Sequence, residues 1–462
     1  MRDRSPPHAY QREGIKFLIE HGAAGLFLDP GLGKTRISLD AFRMLKARRL
    51  VRKMLVIAPL RPCYQVWPNE IAKWAELEGL TCAVLHGPKK EQALLSGADV
   101  DIINPEGLPW LFAQSTLKKV TQEGWPWSML VIDESTRFKH TQTQRFKTLS
   151  PMLGAFKRRY ILTGSPAPNG LLDLFGQVYC LDLGNALGRY ISHYRKEYFQ
   201  CGGFQNHEWF LRKGEDKRIY ERLRPLVLRM AAKDLLDLPP LIFNKVEVEL
   251  PEKAMRQYTQ MEDQLVLLMK EGAIVAANAA VAAGKCRQIA NGGIYHEGGE
   301  KWTQLHEAKT DALEEIVESL QGSPCLVAYE FRHDLDRLHR RFGSHVPHIG
   351  GGVTPSAFRD IEVRWNAGEI PLLLAQPQSV AHGLNLQGTA ATVAFYGETF
   401  NLEDREQFIR RVWRQGQKER VVVHDIIAKG TIDEVILKAI GGKDRTQQAL
   451  LGALKNHLRR AA

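Results

Sequence analysis

The stretch Gly25 to Thr35, GLFLDPGLGKT, decides how the chain folds. Leu26, Phe27 and Leu28 form an apolar run too short for a helix, and it empties into a glycine turn ending in lysine and threonine. Gly31 and Gly33 can adopt backbone angles that other residues avoid, which lets successive N–H groups converge on phosphate oxygens. In such a cradle Lys34 reaches the terminal phosphates and the Thr35 hydroxyl holds magnesium, so Gly31, Gly33, Lys34 and Thr35 are the candidate ATP-binding residues. Ile37, Leu39, Ala41, Phe42 and Leu45 follow at helical spacing and predict a helix whose positive dipole end faces the anion. Taken alone, the same letters also read as a surface turn containing GKT, because the strict motif has glycine at the position of Leu28.

Outward from this loop the chain alternates short buried runs with helical stretches. His8 to Glu20 reads as a helix with Gln11 near its start. Met54–Ala58, Met129–Ile132 and Tyr160–Leu162 read as strands buried on both faces of a parallel sheet. Around Leu235 to Pro251, three prolines and an alternation of Val246 and Val248 with Glu247 and Glu249 suggest a crossing segment. An amphipathic and an alanine-rich stretch then predict a helical pair up to the Gly292–Gly293 break. A second series of strand-like runs follows at Cys325–Ala328, Pro371–Ala375, Thr392–Phe395 and Val421–His424, with no second GKT. The expected fold is α/β: residues 1–235 form a nucleotide-binding lobe with a basic helical insertion at about 180–233. Residues 236–300 form a helical junction, 301–440 a second parallel-sheet lobe, and 441–462 a basic tail.

Charge narrows the partner. The net charge is +11, and the stretches Arg212–Lys233 and Lys438–Arg460 each contribute +5 of it. Clustered positive charge suits nucleic acid, although either stretch alone also reads as a solvated helix face. The six cysteines show no zinc or disulfide spacing. No apolar run approaches the roughly 18 residues of a membrane span, and the N-terminal residues lack a signal peptide's apolar centre, so a cytoplasmic protein is expected.

Two further motifs supply hydrolytic chemistry. MLVIDE places Asp133 to hold magnesium and Glu134 to polarise the attacking water, after a buried strand. QFIRRVWRQGQ places Arg411 and Arg414 three residues apart, expected on one helix face, where they would meet charge building on the phosphoryl group; Arg410 is expected to face solvent or a phosphate. The tryptophans Trp125, Trp127 and Trp209, with Phe199, offer stacking faces for bases or packing for the core.

Read together, these motifs resemble the Swi/Snf family of DNA translocases within the superfamily-two helicase-like ATPases. HAYQREG, DPGLGKT, VIAP, VIDEST, ILTGSPAPNGLLDLF, HGLNLQ and QFIRRVWRQGQ are similar to that family's successive motifs, from about residue 8 to 440. The resemblance implies two RecA-like lobes, with Gln11 reading adenine and Gln407 completing the site beside Arg411 and Arg414. It further implies that Thr163, Gly164, Ser165 and Gly383 couple nucleotide state to nucleic acid, and that a DNA duplex is gripped through its phosphates without strong sequence preference. The chain departs from the family at Ser135 and Thr136, which stand where a small residue and histidine are usual, and at Gln376, Pro377 and His382. Hydrolysis is expected to survive these changes, which bear on coupling. The expected protein is a compact prokaryotic or viral ATP-driven translocase on duplex DNA, dependent on magnesium, whose loading partner is unknown. A strand-separating helicase and a nucleotide-gated DNA-binding adaptor are the alternatives.

Overall fold

The computed structural model describes every residue except 1, 121–123, 168–169, 203–207, 232–234, 236–237, 271–275, 297–300, 381–385, 389, 400 and 442–462. The chain divides into two compact units, Met1–Leu236 and Asp237–Ala462. Among the described residues no helix is long and apolar enough to cross a membrane.

The first unit is built on a seven-stranded sheet. Its strands are β1 (Ala23–Leu28), β2 (Lys53–Ile57), β3 (Cys82–Val84), β4 (Val100–Ile103), β5 (Trp127–Asp133) and β6 (Arg158–Thr163). After a small antiparallel hairpin, β7 (Phe199–Gly202) with β8 (Glu208–Leu211), the seventh sheet strand is β9 (Val227–Met230). The order is β3-β4-β2-β5-β6-β1-β9, and every neighbouring pair is parallel. The runs read as strands are buried along almost their whole length because helices cover both faces, as parallel sheets require. Gly25 lies between β6 and β9, where an added Cβ would stand 3.1 Å from Val227 Cγ2, so its lack of a side chain lets β9 close on β1.

The insertion holds the helices Ile191–Tyr198 and Glu215–Leu223, and in addition the β7–β8 hairpin and β9, which its charge pattern did not announce. Tyr194, Tyr198 and Phe199 bury themselves there in the apolar core of the unit. The aromatic residues considered for base stacking are mostly core. Trp127 is buried and donates its indole N–H to Asp101 at 2.8 Å, Trp125 packs on Trp127 and Phe156, and Phe199 is buried. Trp209 lies under the Arg195 guanidinium at 5.6 Å.

The second unit carries a six-stranded sheet of β10 (Leu241–Val248), β13 (Cys325–Ala328), β14 (His348–Ile349), β15 (Leu372–Ala375), β16 (Thr392–Phe395) and β17 (Val421–Ala428). A separate two-stranded ribbon pairs β11 (Gly293–Tyr295) with β12 (Trp302–Gln304). The sheet order β10-β17-β16-β13-β15-β14 is parallel throughout. The stretch expected to be a crossing segment holds the boundary between the two units and then β10, an edge strand exposed along most of its length, which explains its alternation of valine and glutamate. The helices Glu252–Lys270 and Ala276–Asn291 follow it.

A buried polar hub ties this unit together at Asn291. Its Nδ2 donates to Asp334 at 3.0 Å, and its Oδ1 accepts from Lys309 at 2.9 Å. Lys309 is itself paired with Asp433 at 2.6 Å, with both side chains fully out of solvent. Gly292 sits at φ 104°, where a Cβ would strike the Arg337 guanidinium and the His306 carbonyl, so the hub closes only around glycine. Removing one partner of a buried pair leaves an uncompensated charge. Lys309→Met is therefore expected to cost about 3–5 kcal/mol, read as a lowered urea midpoint for unfolding. Lys16→Ala, which breaks a solvent-exposed pair with Glu20, should leave the midpoint in place.

Candidate nucleotide site

Strand β6 runs between β5 and β1, so three loops leave the carboxyl edge of one sheet side by side. Register sets Asp133 level with Leu162, Leu162 level with Leu26, and Phe27 level with Thr163. Two strand spacings therefore separate the acid end of β5 from the end of β1, about 10 Å. Ligands of open parallel sheets settle in the crevice outside such carboxyl ends.

The loop after β1 has the backbone the glycines were expected to allow. Gly31 lies at φ 91° and Gly33 at φ 75°, and Gly33 is the N-cap of α2 (Lys34–Ala47), the helix that follows the loop. A Cβ on Gly33 would collide with the Gln11 amide, so Gln11 is packed directly against the phosphate loop. Gln11 is buried on the helix Ala9–Glu20, and its Oε1 accepts from the His8 backbone N–H at 2.9 Å. Lys34 folds its ammonium back to the Leu28 carbonyl, 2.7 Å away, and Thr35 is half-buried in the first turn of α2.

Asp133 closes β5. Its Oδ2 accepts from the Trp67 indole N–H at 3.0 Å, and its Oδ1 accepts from the Glu134 backbone N–H at 3.1 Å. Burial first, then the neighbouring Glu134 carboxylate, pushes the Asp133 carboxyl up to about 6, while Trp67 and Lys34 pull it down. Glu134 is held at φ 51°, a left-handed conformation uncommon outside glycine, before the 3₁₀ turn Ser135–Phe138. The Ser135 hydroxyl donates to Gln177 at 2.7 Å. In the loop after β6, Thr163 is buried and its Oγ1 accepts from the Ser165 N–H at 3.1 Å. A Cβ on Gly164 would lie 2.8 Å from Pro30 Cδ, which places Gly164 against the phosphate loop. Gln11, Gly31, Gly33, Lys34, Asp133, Glu134, Thr163, Gly164 and Ser165 are thus gathered by one sheet edge and the helices beside it. Trp67 and Gln177 belong to the same neighbourhood and carry no motif signal, since their partners are set by packing.

In the second unit, Gln407 is buried on the helix Leu402–Ile409 and donates to Glu403 at 3.1 Å. Asn401 caps that helix by accepting from the N–H groups of Glu403 and Asp404. Arg411 and Arg414 do not share a helix face as expected, because the helix ends at Ile409 and both arginines lie in the turn that follows. After Ile409 the hydrogen bonds tighten to Arg411 N–Phe408 O and Val412 N–Ile409 O. The Trp413 indole donates to the Pro239 carbonyl at 2.8 Å, and Gln417 donates to Ala390 at 2.8 Å, which draws the chain off the helix axis. Arg410, expected to face solvent or a phosphate, stacks over the Trp413 ring at 5.8 Å. Gly383, with His382, Leu384 and Asn385 of HGLNLQ, lies outside the described residues.

The helix bearing Gln407 is anchored by Arg405, a residue no motif singled out. Its guanidinium meets Glu398 at 2.9 Å and Asp425 at 2.7 Å and lies 4.0 Å over the Phe395 ring. All four groups are out of solvent.

Comparison with known proteins places these features. Residues 10–292 match the family model described as SNF2-related domain, and residues 308–416 match the helicase conserved C-terminal domain. Protein p41 of Acyrthosiphon pisum secondary endosymbiont phage 1 is 35% identical, over 97% of this chain and 98% of its own length. The CHD3-type chromatin-remodeling factor PICKLE of Arabidopsis thaliana is 26% identical over 97% of this chain, which spans only 34% of that relative. The SWI2/SNF2 ATPase core of Sulfolobus solfataricus, solved in complex with dsDNA, aligns at 21% identity with a TM-score of 0.45, covering 99% of this chain and 95% of that one.

The indole on Asp133 offers a direct test. A donor to the carboxylate favours its charged form, so Trp67→Phe should move the Asp133 titration further upward from about 6, measured by carboxyl carbon NMR. Its folded value already exceeds the ordinary 3.8, so the stability it contributes is complete below 3.8 and lost as pH rises through about 6. In the variant that loss should extend to higher pH.

Proposed function

Because the chain belongs to the SNF2-related family and is a helicase-like ATP hydrolase, we propose that it is a motor that tracks along duplex DNA while hydrolysing ATP. The observation that carries this reading is the common sheet edge that gathers the phosphate loop, the acid pair and the Thr163–Ser165 loop. The first unit would bind ATP, with Gln11 at the base and Lys34 exchanging the Leu28 carbonyl for the terminal phosphates. The Thr35 hydroxyl and Asp133 carboxylate are hard oxygen donors of the kind a magnesium ion takes. That ion, when bound, supplies neutralisation of phosphate charge. Glu134 would orient and polarise the attacking water, and Gln407, Arg411 and Arg414 would act on the same phosphates to stabilise the charge that develops on transfer. Thr163, Gly164 and Ser165, together with Gly383, would pass the nucleotide state to the nucleic acid.

Duplex DNA fits the basic stretches Arg212–Lys233 and Lys438–Arg460, and contacts made through phosphates would be sequence-tolerant and salt-dependent. The phage relative, matched over nearly its full length, agrees with a setting in the cytoplasm of a bacterial or phage-infected cell.

ATP hydrolysis measured without nucleic acid and with single-stranded DNA, duplex DNA or RNA tests the reading. Duplex DNA should stimulate most, and Lys34→Ala and Arg414→Ala should each lower the stimulated rate by roughly a hundredfold or more. Displacement of a third strand from a triplex, without separation of the duplex beneath it, should accompany that stimulation. Stimulation mainly by single strands would replace the duplex motor with a strand-separating helicase. DNA binding without hydrolysis above the Lys34→Ala background would leave an adaptor.

A further inference from the structure

We propose that Ser135 and Gln177 form a positioning pair that transmits the state of the hydrolytic acids to the loop after β6. The inference rests on the reading of Asp133 and Glu134 as those acids. Gln177 lies on the helix Leu174–Asp182, among the buried side chains of Leu174, Phe175, Val178 and Leu181. An amide at a fully buried position of such a helix is costly unless it is bonded, and this one is bonded on both sides. Its Oε1 accepts from the Ser135 hydroxyl at 2.7 Å, and its Nε2 donates to the Pro166 carbonyl at 2.6 Å and the Asp173 carbonyl at 2.8 Å. One side chain thus joins the turn that carries the acids, the loop after β6 and its own helix.

The surroundings make this joint stiff. A Cβ on Gly176 would run into the Phe138 and Lys139 carbonyls, so the helix presses against the acid turn with no side chain between them. Lys139 and Asp173 pair at 3.2 Å alongside. The loop after β6 is therefore held from two directions, at Gly164 by Pro30 of the phosphate loop and at Pro166 by Gln177. A displacement of either support on nucleotide binding must be met by Thr163–Ala167. Ser135 supplies the hydroxyl that makes the second support possible.

Backbone amide exchange at Gly164, Ser165 and Ala167, in the full chain with and without a non-hydrolysable ATP analogue, reads the transmission without needing hydrolysis or DNA. The analogue should slow exchange in the wild type and in Ser135→Thr, which keeps the hydroxyl, by about fivefold or more. In Ser135→Ala, Gln177→Met and the double variant the slowing should fall below about twofold, with the double no worse than the singles, while the analogue still binds. Ser135→Ala removes one oxygen only, so it serves should Gln177→Met fail to fold. Wild-type slowing retained in Ser135→Ala, or none in the wild type, would overturn the pair's role. Slowing that depends on the pair in a protein stimulated by no nucleic acid would keep this inference and sink the translocase alone.

Discussion

The first unit depends on one constraint, the parallel pairing of β6 between β5 and β1. Each of these strands ends in a loop with its own chemistry, and hydrogen bonding in register fixes where those loops start relative to one another. A slip of one residue would turn every side chain of a strand to the opposite face. Both faces here are close-packed, so a slip would undo the fit of side chains on each, and this fixes the separation of Asp133 from the phosphate loop. The glycines work within that frame: Gly25 lets β9 approach, Gly33 admits Gln11, and Gly164 admits Pro30.

Much of this was legible in the sequence, for a physical reason. Strands buried on both faces must be short and apolar, and a phosphate loop must have glycine where φ turns positive, so both leave marks that one sequence carries. The edge strand β10 reads as a continuation of the crossing between the units, because its exposure and the prolines at its flanks give it the look of a linker. The short strands β4 and β14 and the β7–β8 hairpin have too few residues for periodicity to register. Arg411 and Arg414 sit in a helix-like sequence whose continuation is overruled at a distance, by Pro239 and Ala390 accepting from Trp413 and Gln417. Trp67, Gln177 and Arg405 owe their roles to partners up to 66 residues away, which no local pattern can name.

Buried polarity is satisfied in two ways, and both units use each of them. In one, a single guanidinium donates to several backbone carbonyls: Arg158 to those of Leu18, Ile19 and His21, Arg159 to those of Leu153, Phe156 and Leu181, and, in the second unit, Arg337 to those of Asn291 and His306. In the other, charges are matched with charges, at Arg36–Asp40 and Lys53–Asp101 in the first unit and around Lys309 and Arg405 in the second. Neutral acceptors leave a network whose strength varies little with pH. Ion pairs out of solvent hold geometry firmly but tie it to protonation.

The grouping at Arg405 shows where that leads. One guanidinium stands between two buried carboxyl groups, Glu398 and Asp425, so it can balance the charge of only one of them. Burial raises the Glu398 carboxyl to about 8 despite the guanidinium, with Asp425 adding to the rise. The folded unit therefore holds this proton to higher pH than the unfolded chain does, and in that range folding takes up a proton. Heat measured for that transition would change with the ionisation enthalpy of the buffer, a calorimetric signature of how Gln407's helix is held in place.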